Sequence, residues 1–285
     1  MTYDLYLVGG LDVARLVAAL AGVLAVPVEA VDVSAQDAPD RRWDAAVLCG
    51  FFPVSGDISF GLDVFVRDDV PALPPPATVA QRLADELTEP ILYAATDGFP
   101  ESAFWMAVPG DGRTRARVLD GDAPDELVMT IDAVERPVAS LPSVRVAAQP
   151  EVIREHRMPT PVADGFRRGL AGEGAGIGDP LRRAGNDLAA WEGLAGRMAA
   201  GWPPDGWYPE DFYREDLDTR DRLAAAAGSL TGPVGGRFAA ALTEVDDAFR
   251  AGTREIGEPA PRGWWWGRVP DPVPWLNEPG RAGPR

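Results

Sequence analysis

The chain has 285 residues and a mass of 30.4 kDa, with 46% hydrophobic and 25% charged residues, a globular composition that excludes a wholly disordered chain. Its 44 acidic residues face 27 basic ones, all arginine, for a net charge of -17; this excludes a Schiff-base lysine and a P-loop, and opposes nucleic-acid binding. One cysteine, Cys49, and one histidine, His156, exclude an intramolecular disulfide, a multi-cysteine zinc site and a repeated-histidine metal motif.

Tyr3 to Gly9 reads as a strand, punctuated by Gly9-Gly10. The next stretch puts Val13, Leu16, Val17, Leu20, Val23 and Leu24 on one helical face and ends at Pro27. Val28 to Val33 reads as a second strand and Pro39 to Trp43 as a polar connection. Ala45 to Phe52 is an apolar run with Cys49 inside it, which predicts a buried, inert thiol. After the turn Pro53 to Asp57, residues Ile58, Phe60, Leu62, Val64 and Val66 alternate, so the two runs form a hairpin. Thr78 is placed to cap a second helix that turns Val79, Leu83 and Leu87 inward. Ile91 to Ala95 follows as a short strand, and Ala103 to Val108 and Thr114 to Leu119 flank the turn Pro109-Gly110-Asp111-Gly112.

These elements predict an α+β N-terminal domain over 1–164, a mostly antiparallel sheet with two helices, for which ferredoxin-like wiring is one arrangement. The glycines at 165, 169, 172, 174, 176 and 178 mark 165–180 as a linker. Residues 181–285 read as a small all-α domain with a Trp/Pro-rich tail. Its helices are Asn186 to Ala200, Pro209 to Ala227 and Gly236 to Gly252. With no apolar run near the ~20 residues of a membrane helix, and no basic region after Met1, the expectation is a cytoplasmic protein that does not engage a membrane.

The familiar motifs fall short. Gly9-Gly10 sits where a dinucleotide fingerprint would, but two of its three glycines are missing; Gly172-Glu173-Gly174-Ala175-Gly176 follows no clear strand. Asp120-Gly121-Asp122 with Asp125 and Glu126 lacks the glycine a calcium loop needs at position six. His156 lies between Arg154 and Arg157, which disfavour its charged form. No catalytic residue, metal ligand or cofactor follows from these patterns.

The aromatic residues are concentrated instead. Seven of nine tryptophans fall in the last hundred residues, and Trp264, Trp265, Trp266, Arg268 and Trp275 form the candidate binding set. Two roles are open to them: large rings that fill a small core, or exposed anchors for a protein partner.

The stretch Ile91 to Leu119, with its aromatic strand and P-G-D-G turn, resembles segments of small bacterial immunity proteins of toxin–immunity systems. That resemblance implies a protein that binds a toxin and is not an enzyme. With the acidic balance, it leads to the first expectation: a non-enzymatic binding module, an immunity or inhibitor protein for a basic toxin or enzyme. Two alternatives stay open. One is a carboxylate-dependent hydrolase on a small or sugar substrate, which requires a concave pocket with a displaced carboxyl pKa. The other is an assembly component that docks its tryptophan tail on a neighbour.

Overall fold

Tyr3, Leu5 and Leu7 alternate with Thr2, Asp4 and Tyr6, and the chain extends into β1 (Thr2–Leu7) with the first set buried. Asp12 then caps α1 (Val13–Leu24), its Oδ1 accepting from the Arg15 amide at 3.1 Å, and Ala25 closes the helix in the left-handed region. The second helix, α2 (Pro76–Leu87), starts two residues before Thr78, because a proline in the first turn has its φ already set for a helix. Both helices bury an apolar stripe, with Leu16, Leu20 and Leu24 from α1 and Val79, Leu83 and Leu87 from α2.

The computed structural model describes residues 1–95, 103–121, 126–171, 178–204, 206–257 and 262–279. The chain divides into two units, Met1–Val152 and Ile153–Arg285.

The first unit is built on one ten-stranded sheet. Besides β1 it contains β2 (Val31–Ala35), β3 (Val47–Pro53), β4 (Ser55–Gly56), β5 (Phe60–Val66), β6 (Ile91–Ala94) and β7 (Ala103–Val108). It is completed by β8 (Gly112–Asp120), β9 (Val128–Val134) and β10 (Arg145–Val146). The order is β10-β9-β8-β7-β6-β1-β5-β3-β2, with β4 beside β9. The predicted antiparallel two-helix sheet is corrected here. The sheet is mixed, since β2 runs parallel to β3, and β4 and β10 run parallel to β9; it is also larger than a ferredoxin-like plan. With the helices of the second unit, the described residues form seven α-helices.

The parallel pairing of β2 has a local cause. The Asp32 carboxylate accepts from Ser34 Oγ at 3.0 Å, Arg41 Nε at 3.3 Å and the Arg42 amide at 3.3 Å. These bonds fold the polar connection back along the strand end, so β3 re-enters in the direction of β2. The hairpins are those the alternation predicts, β3 with β5 and β7 with β8. At the tip of the latter, Gly110 and Gly112 take φ of 69° and 73°, and Asp85 Oδ1 accepts from the Gly110 amide at 2.9 Å.

The short helix α3 (Pro150–Glu155) spans the point where the units divide. The second unit packs α4 (Pro161–Ala171), α5 (Asp179–Ala199), α6 (Glu210–Ser229) and α7 (Gly232–Ala251). The glycine-rich stretch read as a linker begins inside α4. Ala163, Phe166 and Leu170 give that helix a buried stripe despite Gly165 and Gly169. Glu192 of α5 caps it, accepting from the Val162 and Ala163 amides at 2.8 Å each. Residues 172–177, which hold the partial glycine fingerprint, lie outside the described residues.

Aromatic rings fill the core of this unit. Trp191 lies 4.4 Å from Phe249, and Phe166 lies 5.4 Å from Phe238, centroid to centroid. Among them sits a buried ion pair: Arg220 grips Asp246 through Nε at 2.8 Å and Nη2 at 2.7 Å, and the Trp191 indole N–H donates to the same carboxylate at 3.0 Å. Breaking such a pair by removing one partner strands a buried charge, which costs about 3–5 kcal/mol. Asp246→Ala is therefore expected to lower stability by about that amount in urea unfolding at pH 7, and a loss comparable to that of an exposed pair would refute the burial argument.

Candidate functional site: an exposed acidic sheet face

The tail residues singled out by sequence are engaged within their own unit. The strands β11 (Thr253–Glu255) and β12 (Arg268–Pro270) pair antiparallel, and Trp264–Gly267 forms a 3₁₀ turn before β12. Trp265 is buried, its indole N–H donating to Asp221 Oδ1 at 3.0 Å, and the Arg220 guanidinium lies 4.2 Å from its ring. Trp266 donates to both oxygens of Asp221 at 3.2 Å. Trp264 packs edge-on against Phe249, with Arg250 3.9 Å over its ring. Arg268 Nε donates to Thr253 Oγ1 at 2.7 Å, and its Nη2 donates to the Thr253 carbonyl at 2.8 Å. Trp275 stacks obliquely on Tyr213 at 5.5 Å. The set therefore gathers around α6 and α7, each member with a partner.

The other sequence candidates sit as follows. Cys49 is fully buried, and burial pushes its thiol up to about 12, which keeps it protonated and unreactive. Of the acidic turn, Asp122 and Asp125 lie outside the described residues. Among the described residues no group of three His, Cys, Asp or Glu side chains is placed to hold a metal, and no helix is long and apolar enough to cross a membrane.

Charge is divided unevenly between the units. Residues 1–152 hold 24 Asp and Glu against 10 Arg, while residues 153–285 hold 20 against 17. The acidic excess is thus concentrated on the sheet unit. Leu5, Leu62 and Val64 face α1 and α2 in one apolar cluster. Alternation then turns Asp4, Tyr6, Asp63 and Phe65 to the opposite face.

On that face the register sets Asp4 directly opposite Asp63, across the β1–β5 pair. Side chains opposed in this way stand about 5 Å apart at Cβ, and like charges there are destabilising. Neither carboxylate has an ion-pair partner among the described residues. Burial raises the Asp63 carboxyl above its ordinary range, and Asp4 raises it further. Burial raises the Tyr6 hydroxyl too, with Asp4, Asp63 and Asp120 adding to the shift.

Phe65, two residues along β5 from Asp63, is 45% exposed, and Phe104 meets Tyr6 edge-on at 5.8 Å. Tyr6, Phe104, Leu119, Asp120, Leu127 and Met129 line a hollow of about 330 Å³. Cations elsewhere on the sheet are already committed. Arg41 is tied to Asp32, and Arg117 is held by Asp132 and Glu151. Sequence analysis missed this site because the opposition of Asp4 and Asp63 depends on register. The visible signal was one acidic residue at the centre of each apolar alternation.

Comparison with protein-family models, with curated proteins and with solved structures finds no match.

An uncompensated carboxylate pair leaves a thermodynamic trace. A carboxyl with a raised folded pKa binds more protons folded than unfolded, so its contribution to stability falls as pH rises through the carboxylate range. Asp63→Asn removes the repulsion and is expected to stabilise the chain at pH 7 by about 0.2–1 kcal/mol. The gain should shrink as pH falls and the Asp63 carboxyl takes up its proton. Equal gains at pH 7 and at acid pH in urea unfolding would show that charge is not the cause.

Proposed function

We propose that the protein is a non-enzymatic binding module whose sheet unit receives a basic protein on the Asp4–Asp63 face. The observation that carries this reading is the pair of opposed carboxylates, neither with an ion-pair partner among the described residues, on the face that also carries the exposed Phe65. A charge pair that costs stability when free becomes favourable when a guanidinium or ammonium docks between the two. The exposed Phe65, on the same face of β5 as Asp63, supplies apolar area near that charge, as interface cores require. The acidic excess of the same unit would speed encounter with a basic partner. An immunity or inhibitor role toward a basic toxin or enzyme, as the Ile91 to Leu119 resemblance implies, is the form of this function we favour.

The helical unit does contain the concave pocket with a displaced carboxyl that a hydrolase needs, since burial raises Asp216 there to about 7. The second carboxylate of that pocket, Glu215, is however the neighbouring residue of α6. The two sit on one wall, whereas glycoside hydrolysis needs carboxylates on both sides of a substrate.

The test is a pull-down from the protein's own cell lysate with three tagged forms: the native chain, Asp4→Asn/Asp63→Asn, and a charge-matched Glu29→Gln/Glu86→Gln control. The reading requires a basic protein retained by the native chain and by the control, released at high salt and lost by the double Asn variant. The purified pair should then associate about tenfold more slowly with the double Asn variant. Equal retention by all three forms, or no basic protein retained by the native chain at low salt, overturns it.

A further inference from the structure

The helical unit contains a cavity of about 410 Å³ that the proposed protein interface does not use. Its volume falls within the ~300–1,000 Å³ typical of small-molecule sites. The cavity lies between α5, α6 and the end of α3 with the segment that follows it, and its polar lining sets three arginines beside Glu215 and Asp216. Arg154, Arg157 and Arg197 all border it.

The three arginines are held differently. Arg197 is buried and structural, its Nη2 donating to the carbonyls of Ile153 (3.0 Å) and His156. Arg154 lies 4.2 Å over the Phe212 ring and meets Glu215 at 3.4 Å. That pair is exposed on both sides, so it contributes little and exchanges readily for a ligand. Arg157 is exposed and makes no ion pair among the described residues. Below them, Met158, Leu194 and the Phe212 ring give apolar walls, and the Tyr208 hydroxyl donates to Asp216 Oδ2 at 2.7 Å.

We propose that this cavity binds a small organic acid, its anionic head held by Arg157 and Arg154 and its apolar body lying against Phe212, Met158 and Leu194. Guanidinium groups suit this task because their planar fork matches a carboxylate or phosphate head. The site does not depend on the protein interface of the other unit, nor on any turnover.

Asp216 adds a pH dependence. Burial lifts its carboxyl to about 7, against the hydrogen bond from Tyr208 and the positive charges of Arg197 and Arg154, with Glu215 adding to the rise. Below that pH the carboxyl is neutral and the arginines dominate. Above it a second negative charge joins Glu215 beside the cavity, so affinity for an anion falls as pH rises from 6 to 8.

Calorimetric titration of the full chain tests this with four probes: benzoate, phenyl phosphate, inorganic phosphate and benzyl alcohol. Benzoate or phenyl phosphate should bind saturably at pH 6, with the stronger of the two naming the head group. Benzyl alcohol, which lacks the charge, and inorganic phosphate, which lacks the body, should each bind at least about tenfold more weakly. Arg154→Ala/Arg157→Ala changes two exposed side chains and should cost at least about tenfold in affinity. The native affinity should drop about fivefold between pH 6 and pH 8, and Asp216→Asn should flatten that drop. No saturable heat with either aromatic acid overturns the proposal. So does binding that the arginine double variant leaves unchanged, or that benzyl alcohol or inorganic phosphate matches. A pH-independent affinity with the arginine effect intact refutes the role given to Asp216.

Discussion

A sheet has two faces, and in the first unit α1 and α2 pack on the same one. That constraint sorts the residues of the central strands. Side chains that point toward the helices are Leu5, Leu62, Val64 and Val47, which form a continuous core. On the other face Leu92, Met106 and Ala116 join a second buried cluster, against which Tyr6 and Phe104 pack, and Asp4, Asp63 and Phe65 point to that face too. An exposed antiparallel face tolerates polar side chains, but it does not call for two carboxylates in direct opposition. Elsewhere on the sheet an aspartate meets an arginine, as where Arg117 pairs with Asp132 at 3.1 Å. What sets the Asp4–Asp63 pair apart is the direct cross-strand opposition of two carboxylates, with no ion-pair partner for either among the described residues.

The helical unit solves a different problem. Its four helices enclose large rings, and rings with indole N–H groups need acceptors when buried. Asp246 serves Trp191, and Asp221 serves both Trp265 and Trp266. Arg220 links the two arrangements, because one of its faces lies over Trp265 while its fork binds Asp246. The short strand pair β11–β12 is fastened to the end of α7 through Thr253, whose hydroxyl donates to the Phe249 carbonyl at 2.8 Å. The tail's tryptophans are therefore part of how this unit closes its core. Their concentration reflects a small bundle that gains burial from few residues.

Legibility in the sequence followed the range of the interaction. Period-two alternation over Ile58 to Val66 and the Pro109 to Gly112 turn act between near neighbours, and they predicted β5 and the β7–β8 hairpin directly. The parallel neighbours were not legible: β4 and β10 are two residues long and carry no period, and β2 is set parallel by Asp32 acting across the following connection. The helix α4 was hidden by its glycines, because its cap is supplied by Glu192 from another helix. The partners of Trp264 to Trp266 lie far away in sequence, on α6 and α7, so the choice between core rings and exposed anchors was open until the pairing was seen. At the sheet face the residues were visible and their opposition was not, because register is fixed by the whole β1–β5 pair.

The charge is divided unevenly between the units. Both draw their basic residues from arginine alone, yet the sheet unit has 10 in 152 residues and the helical unit 17 in 133. Only the sheet unit therefore departs far from neutrality. Within it, arginines engage Asp32, Glu135, Asp132 and Glu151, while Asp4 and Asp63 have no ion-pair partner among the described residues. A composition shared by the whole chain does not produce that division, so the placement of negative charge follows the units rather than the overall balance.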